Sequence, residues 1–220
     1  METFNIDTAR NNMIEQQIRP WDVLDMRVLD VLRDTPREAF VPEDKLDLAF
    51  MDIEIPIGHG ETMLTPRVEG RLLQSLDLQP SDSVLEIGTG TGYLTACLAR
   101  LAGAAFSVDI HEDFTQRAKS NLAAQGIDNV TLWTGDAAFG WDKSPSVYDA
   151  VVVSGSLPVY DDCFEKLLKP GGRLFIVIGE PPVMEALLIT RVDDAFSRVS
   201  LFETSLKPLQ GREPKPAFQF

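Results

Sequence analysis

The segment Val84-Leu85-Glu86-Ile87-Gly88-Thr89-Gly90-Thr91-Gly92 decides the fold of this chain of 220 residues. Apolar residues typical of a buried strand run directly into three glycines at alternate positions. Glycine is needed where a ligand approaches the backbone or where the dihedral angles exclude a side chain. An apolar helical pattern follows over residues 94–101. A strand, a glycine-rich turn and a helix in this order are typical of a parallel α/β sheet, which binds ligands at the carboxyl ends of its strands.

Downstream of this turn, short apolar runs alternate with amphipathic helices. Strands are predicted over residues 83–87, 105–109, 130–133, 150–154 and 173–178, and helices over 94–101, 112–124 and 159–168. Because helices separate the strands, we expect right-handed crossovers and a parallel sheet covered on both faces. Beyond residue 182, β-rich runs at 187–192 and 199–206 flank Asp193 and Asp194, which predicts an antiparallel addition. The predicted fold class is α/β, with a doubly wound, mostly parallel sheet.

The residues before this alternation predict a helical extension. Apolar residues recur at helical spacing over residues 7–34, where Pro20 must interrupt the helix. Thr65 and Pro66 predict a second helix start, with Thr65 as the N-cap. We therefore expect residues 1–80 to form a helical and loop extension that is part of a substrate site. Residues 81–220 would form the ligand-binding core, in one compact unit with the extension.

The net charge of −14, from 34 acidic and 20 basic residues, limits the partners. A surface of this charge repels nucleic acid and anionic lipid, so neither is expected to bind. No apolar run approaches the ~20 residues that cross a bilayer. Residues 1–12 lack the features of a secretory signal. Cys97 and Cys163 show no metal-ligand spacing, so we expect reduced thiols, no metal site and a cytoplasmic protein.

The spacing of the glycines indicates the ligand. Dinucleotide-binding turns have the pattern GxGxxG, whereas this turn has GxGxG preceded by Glu86. S-adenosylmethionine carries no phosphate, and its amino acid end has an ammonium group that a carboxylate attracts. Asp109 ends the second strand and can accept hydrogen bonds from ribose hydroxyls, while Asp136, after the third strand, can face the adenine amine. The residues predicted to bind S-adenosylmethionine are Glu86, Gly88, Thr89, Gly90, Gly92, Asp109, Ile110, Gly135, Asp136 and Ala137.

Two sets of motifs resemble known families. The order VLEIGTGTGY, SVDI, GDA, YDAVVVSG and LLKPGGRL resembles the class I methyltransferases. That resemblance implies a core of the class I type and methyl transfer that leaves S-adenosylhomocysteine. Residues 36–42 (PREAFVP), residues 55–58 (IPIG) and Thr62 with Pro66 resemble the protein-L-isoaspartate O-methyltransferase family. This second resemblance covers roughly residues 10–180 and implies methylation of the α-carboxylate of isoaspartyl residues, the first step in repair of damaged protein. The acceptor would be a protein or a peptide.

The loop before the second helix start departs from that family. Leu64 stands where the family has a serine thought to hold the substrate carboxylate, Glu61 replaces a glutamine, and Arg67 replaces a histidine. Thr62 and the position of Leu64 are the predicted catalytic positions. Loss of the serine hydroxyl should cost about 1–3 kcal/mol of substrate binding. Arg67, which can pair with a carboxylate through two hydrogen bonds, and His59 are the predicted substrate-binding residues.

Several hypotheses about the function are therefore compatible with the sequence. The chain could be a diverged relative with another acceptor, or a protein that binds S-adenosylmethionine or S-adenosylhomocysteine without catalysis. The alternation of strands and helices alone also permits a nicotinamide dehydrogenase. A nucleic-acid methyltransferase is disfavoured by the charge and by Ser154-Gly155-Ser156, where such enzymes carry an Asn/Asp-Pro-Pro-Tyr/Phe motif. The oligomeric state is not indicated.

Overall fold

The computed structural model describes residues 5–143 and 146–214. Within those ranges the α-helices are α1 (Ile6–Asn12), α2 (Met26–Asp34), α3 (Pro66–Leu76), α4 (Tyr93–Leu101) and α5 (Glu112–Ala124). The strands are β1 (Ile55–Gly58), β2 (Glu61–Met63), β3 (Ser83–Ile87), β4 (Ala104–Asp109), β5 (Val130–Thr134), β6 (Tyr148–Leu157), β7 (Leu168–Glu180), β8 (Val183–Val192) and β9 (Ala195–Glu203).

Strands β3 to β9 form one sheet in the order β5-β4-β3-β6-β7-β8-β9. The strands from β5 to β7 pair in parallel, whereas β8 and β9 add antiparallel to β7. The chain moves outward from β3 through β4 to β5 and then returns to the other side of β3 as β6. The switch point therefore lies at the carboxyl end of β3, where the glycine turn begins. This topology confirms the predicted doubly wound sheet with its antiparallel C-terminal addition.

The two faces of the sheet carry separate apolar clusters. Val84 and Val152 belong to one cluster, and their neighbours Leu85 and Val153 belong to the other, as the alternation of side chains along a strand requires. The first cluster also contains buried residues of the N-terminal extension, α3 and α4. The extension therefore packs directly on the sheet and holds the β1–β2 hairpin near its carboxyl edge.

Several predicted boundaries are confirmed. The strand predicted over residues 83–87 and the helix predicted over residues 112–124 coincide with β3 and α5. The side chain of Thr65 accepts a hydrogen bond from the backbone N–H of Val68 at 3.5 Å and caps α3, with Pro66 at its first position. Asp193, with φ of +54°, lies in the turn between β8 and β9.

The helix predicted over residues 159–168 is wrong. Strand β6 extends to Leu157 and β7 begins at Leu168, which leaves room only for a 3-10 helix at Asp162–Leu167. The side chain of Asp161 accepts from the backbone N–H of Cys163 at 2.9 Å and fixes the start of that turn. The apolar spacing that predicted a helix reflects Phe164 and Leu167, which pack on the second cluster.

The helix predicted over residues 7–34 with an interruption at Pro20 is broken more extensively than predicted, although that interruption is confirmed. After α1 the chain continues as a π-helical turn, Met13–Ile18, and a 3-10 turn, Arg19–Trp21, before α2 begins. Pro20 has no N–H to donate to a preceding carbonyl, so the regular ladder cannot pass through it. Asp22 follows with φ of +61°, which redirects the chain toward α2.

Candidate functional site

A cavity of about 840 Å³ opens at the switch point. The carboxyl ends of β3, β4 and β6 form one wall, through Gly88, Asp109 and Ser154. The β1–β2 hairpin forms the facing wall, and residues 206–210, which follow β9, close the third side.

The glycine turn brings backbone to the cavity surface. Gly88 has φ of +100°, and a Cβ there would lie 2.9 Å from the Oγ of Ser154, so no other residue fits without movement. Gly88 and Gly90 line the cavity. Gly92 does not: it has φ of +85° at the start of α4, and a Cβ would lie 2.9 Å from the Cβ of Ala118. The structure therefore gives Gly92 a packing role between α4 and α5.

Asp109 connects the end of β4 to the glycine turn. Its Oδ2 accepts from the backbone N–H of Gly90 at 2.8 Å, and its Oδ1 accepts from the N–H of His111 at 2.9 Å. The side chain lines the cavity, and burial raises the pKa of its carboxyl above the usual value. The remaining lone pairs of both oxygens are available to a ligand.

Glu86 lies beneath the glycine turn, only 1% exposed. Its Oε2 accepts from the hydroxyls of Thr95 and Ser107, while Oε1 has no partner among the residues described. Burial raises the pKa of this carboxyl to about 8. Glu86 and Thr89 line a recess of about 350 Å³ that shares Gly88, Gly90 and other lining residues with the main cavity. A cation in that recess would meet the unpaired oxygen.

The other predicted cofactor residues lie around the far end of the cavity. Ile110, Gly135, Asp136 and Ala137 all line it. The Oδ1 of Asp136 accepts from the backbone N–H of Ala138 at 2.9 Å, which fixes the carboxylate at the rim. The sheet thus brings residues from three separate segments to one surface, as the strand order requires.

The hairpin side contains both predicted catalytic positions. The hydroxyl of Thr62 donates to Glu54 at 3.3 Å, and both residues line the cavity. Leu64 is buried, lines the cavity, and accepts through its carbonyl oxygen a hydrogen bond from the Nη2 of Arg37 at 2.7 Å. The surface at Leu64 is therefore apolar, and its backbone is held from beneath by a buried guanidinium.

The charges at the hairpin side come mainly from acidic residues. Glu54 and Glu61 line this part of the cavity. Lys207, from the segment after β9, contacts the carboxylate of Glu61 and donates to the carbonyl oxygen of Gly60 at 3.2 Å. Among the described residues that line the cavity, Lys207 is the only lysine or arginine.

Comparison with known proteins identifies the family. The family model described as Protein-L-isoaspartate(D-aspartate) O-methyltransferase (PCMT) matches residues 8–212. The chain belongs to this family. It is 36% identical over 187 residues to the protein-L-isoaspartate O-methyltransferase of Petrotoga mobilis, covering 85% of this chain and 88% of the relative. It is 37% identical over 211 residues to the enzyme of the same name from Rhodopseudomonas palustris, covering 93% of this chain and 96% of the relative.

Solved structures of the family share the fold. A Plasmodium falciparum structure titled as a protein-L-isoaspartate O-methyltransferase in complex with S-adenosyl-L-homocysteine superposes with a TM-score of 0.77 at 20% identity, covering 94% of this chain and 99% of the other. A second structure titled protein-L-isoaspartate O-methyltransferase gives a TM-score of 0.78 at 25% identity, covering 91% and 65% of the two chains. Membership of the family and the match to these folds agree with the resemblance seen in the sequence.

Neither predicted substrate-binding residue lines the cavity in this family member. Arg67 pairs through its Nε with Asp52, which also accepts from the Arg67 backbone N–H at 3.1 Å. Its guanidinium lies 4.1 Å from the ring centroid of Trp21. Arg67 is therefore held on the outer side of α3 and is not placed to receive a carboxylate. His59 is exposed at the hairpin tip and reaches the cavity only through His111, on which it stacks.

Lys207 and Glu54 are the charged lining residues that sequence reasoning missed. Lys207 enters the site because the segment after β9 returns to β6, where the N–H of Ser156 donates to the Lys207 carbonyl at 3.0 Å. Pro208 forms an isolated bridge with Ser156 at the same place. The residues Pro208-Leu209-Gln210 belong to this segment. Nothing in their spacing shows which strand the segment returns to.

Proposed function

We propose that this chain is a methyltransferase that uses S-adenosylmethionine to methylate the α-carboxylate of isoaspartyl residues in damaged protein. The proposal rests on the observation that one cavity has a wall suited to the cofactor and a wall suited to the methyl acceptor. The glycine turn and the ends of β3 and β4 form the first wall, and the hairpin typical of the isoaspartyl family forms the second. The family of the chain and the named activity of its relatives support the same function.

The residues present fit the cofactor. The backbone at Gly88 and Gly90 allows close approach, the Asp109 carboxylate can accept from ribose hydroxyls, and Asp136 can face the adenine amine. An ammonium group in the adjoining recess would meet the unpaired oxygen of Glu86 and would favour the ionised form of this carboxyl, which burial alone disfavours. When bound, S-adenosylmethionine supplies an electrophilic methyl group on sulfur. Glu86, Thr89 and the four residues at the far end are proposed contacts on this basis.

Methyl transfer to a carboxylate requires the protein mainly to position the two reactants. A carboxylate with a pKa near 4 is already ionised at neutral pH, so no general base is needed. In-line attack on a methyl group depends on the alignment of acceptor and donor and on the exclusion of water. Ile57, Leu64 and Leu206 supply apolar walls for that purpose. Thr62 would orient the acceptor carboxylate by turning its hydroxyl from Glu54 to that group.

Lys207 is our candidate for holding the acceptor carboxylate. Leu64 offers no hydroxyl, and Glu54 and Glu61 repel an anion, so a cation is required at this wall. Lys207 is 45% exposed on its side chain and its ammonium group lies between Glu61 and the carbonyl of Gly60. An incoming carboxylate would compete with Glu61 for that ammonium group. The hairpin thus replaces a neutral hydroxyl with a charge supplied from the C-terminal segment.

The test is methyl transfer from labelled S-adenosylmethionine to an isoaspartyl peptide beside its normal aspartyl twin. We expect label in the isoaspartyl peptide alone. Lys207→Met should raise the KM for the peptide about 10- to 100-fold, the loss of one hydrogen bond to a charged group, while Glu61→Gln should lower it. Lys166→Met is the matched control, because the side chain of Lys166 is exposed on the turn Asp162–Leu167, away from the cavity lining. Binding of S-adenosylhomocysteine without transfer to either peptide would instead support a non-catalytic binding protein or another acceptor.

We further propose that the protein acts in the cytoplasm on protein or peptide and not on nucleic acid. Cys97 and Cys163 are both free thiols. None of the helices in the described ranges has the length and apolar character needed to cross a membrane. The net charge of −14 and four carboxylates in the cavity lining disfavour a phosphate backbone. A filter-binding assay with duplex DNA and with RNA at low salt checks the last point.

A further inference from the structure

The two histidines of this chain lie against each other at the edge of the cavity, although they are far apart in sequence. His59 comes from the β1–β2 hairpin, His111 follows β4, and their ring centroids are 4.0 Å apart with an interplanar angle of 11°. Asp113, in the first turn of α5, places its two carboxylate oxygens 3.0 and 3.1 Å from the Nε2 of His59. We refer to His59, His111 and Asp113 as the histidine cluster.

The backbone at His59 is held in a costly conformation. His59 has φ of +52°, between Gly58 at +114° and Gly60 at +74°. The left-handed region is unfavourable for a residue that carries a Cβ. Arg117 of α5 donates to the carbonyl of Ile57 at 3.1 Å and holds the hairpin against that helix. The hairpin tip is therefore fixed with the imidazole directed at the start of α5.

The cluster has the ligand types of a transition-metal site, and its ligand atoms lie near one another. One ligand atom from each of the three residues can be chosen so that all lie within 4.8 Å of one another. Zinc binds imidazole nitrogen and carboxylate oxygen at about 2.0–2.2 Å. Side-chain rotations, including a tilt of the stacked imidazole rings, therefore have to bring the three ligand atoms together around an ion. His59 and Asp113 are exposed and free to make such rotations. The Nε2 of His111 is buried without a partner among the described residues, which leaves a strong ligand atom unused.

We propose that His59, His111 and Asp113 bind a divalent transition-metal ion of the zinc type, with water completing the coordination. Two imidazoles and one carboxylate favour zinc, cobalt, nickel or copper over magnesium or calcium, which prefer oxygen ligands. The ion would join the hairpin to the segment after β4, because His111 lines the cavity and His59 belongs to the acceptor hairpin. Binding would therefore hold the two walls of the cavity at a fixed separation. This site does not depend on the identity of the methyl acceptor.

The test uses protein without a histidine tag, treated with EDTA and freed of it, and titrated with Zn²⁺ against a chromophoric chelator. We expect one equivalent to bind and Co²⁺ to give visible absorption bands at the same stoichiometry. His59→Gln, His111→Gln and Asp113→Asn should each weaken Zn²⁺ binding at least about tenfold, as loss of even an outer ligand contact does. Glu112→Gln removes the neighbouring exposed carboxylate and should bind Zn²⁺ as the wild type does.

Two results would overturn the proposal. The first is the absence of stoichiometric Zn²⁺ binding by the wild-type protein, and the second is binding by His59→Gln as tight as the wild type. Melting temperatures measured in EDTA show whether each variant is folded. Addition of Zn²⁺ should raise the melting temperature of the wild type and of Glu112→Gln, because a ligand that binds only the folded state stabilises it. At the same Zn²⁺ concentration the increase should be smaller for His59→Gln, because weaker binding gives less stabilisation.

Discussion

Asp109 holds the glycine turn and the cavity wall together. Its two oxygens accept from the backbone of Gly90 and of His111, so one side chain fixes segments that follow two different strands. It is 6% exposed, which makes each of these hydrogen bonds costly to lose. The same carboxylate is the proposed partner of the ribose.

Asp109→Ala should weaken binding of S-adenosylhomocysteine at least about tenfold. The variant loses a hydrogen bond to a charged acceptor, worth about 1.5–3 kcal/mol, and also releases the N–H of Gly90. Isothermal titration calorimetry measures the change, with Asp128→Ala, an exposed acid beyond α5, as the control. Affinity within twofold of the wild type would show that Asp109 does not contact the ligand.

Glu86 should make stability depend on pH. Burial raises the pKa of its carboxyl from 4.5 to about 8, so the folded state binds a proton that the unfolded state has released. Where the folded state binds more protons, the free energy of unfolding falls as pH rises. That fall begins above pH 4.5, the unfolded value, and is complete near pH 8.

Glu86→Gln removes this titration. We expect the stability of the variant relative to the wild type to increase from pH 5 to pH 8, because only the wild type becomes charged in a buried position. Urea unfolding at pH 5, 6.5 and 8 gives the three differences. The same difference at all three values would mean that Glu86 titrates alike in the folded and unfolded chains.

At the scale of elements, a buried ion pair holds the hairpin on the core. Arg37, in the 3-10 helix Arg37–Ala39, pairs with Glu69 of α3, and both side chains are almost fully buried. The same guanidinium donates to the carbonyl of Leu64 and lies 4.8 Å from the ring centroid of Tyr93 in α4. The guanidinium of Arg37 therefore contacts α3, α4 and the residue that follows β2.

Removing only one residue of the Arg37–Glu69 ion pair should lower the free energy of unfolding more than removing both. Glu69→Gln leaves a buried guanidinium without a counter-charge, which we expect to reduce the free energy of unfolding by about 3–5 kcal/mol. The double variant Arg37→Met with Glu69→Leu should recover most of that loss, because no charge remains to be paired. Urea unfolding of the single and double variants completes the comparison. A double variant less stable than Glu69→Gln would contradict this account.

At the scale of the whole molecule, the extension and the core share one apolar cluster. Met13 and Leu29 of the extension belong to the same cluster as Val84 and Leu98 of the core. We therefore keep the prediction that residues 1–80 and 81–220 form one unit. A surface shared to this extent should prevent either part from unfolding alone.

Unfolding should then show a single transition. With Trp133→Phe and Trp141→Phe, the fluorescence of Trp21 reports on the extension, while far-ultraviolet circular dichroism reports mainly on the sheet and its helices. We expect the same urea midpoint from both signals and an equal shift of both with S-adenosylhomocysteine. A Trp21 transition at lower urea would separate the extension from the core.

A sequence-based prediction is accurate where the interactions that define an element lie between residues close together in the chain. Strand β3 and helix α5 have the predicted bounds because their apolar periods lie within the segments themselves. The helix predicted over residues 159–168 failed because the lengths of β6 and β7 left too little chain between them. Spacing within a segment carries no information about how far its neighbours extend.

The sequence by itself determined the class of sheet, the cofactor turn and the family, since each of these depends on residues adjacent along the chain. Only the tertiary structure decided the acceptor side. Arg67 is held by Asp52 and Trp21, whereas Lys207 is brought to the hairpin by pairing of the C-terminal segment with β6. The cluster of His59 with His111 arises in the same way. Charged and ligand-type side chains from separate elements are brought together by tertiary packing. The spacing of residues within one segment does not predict that packing.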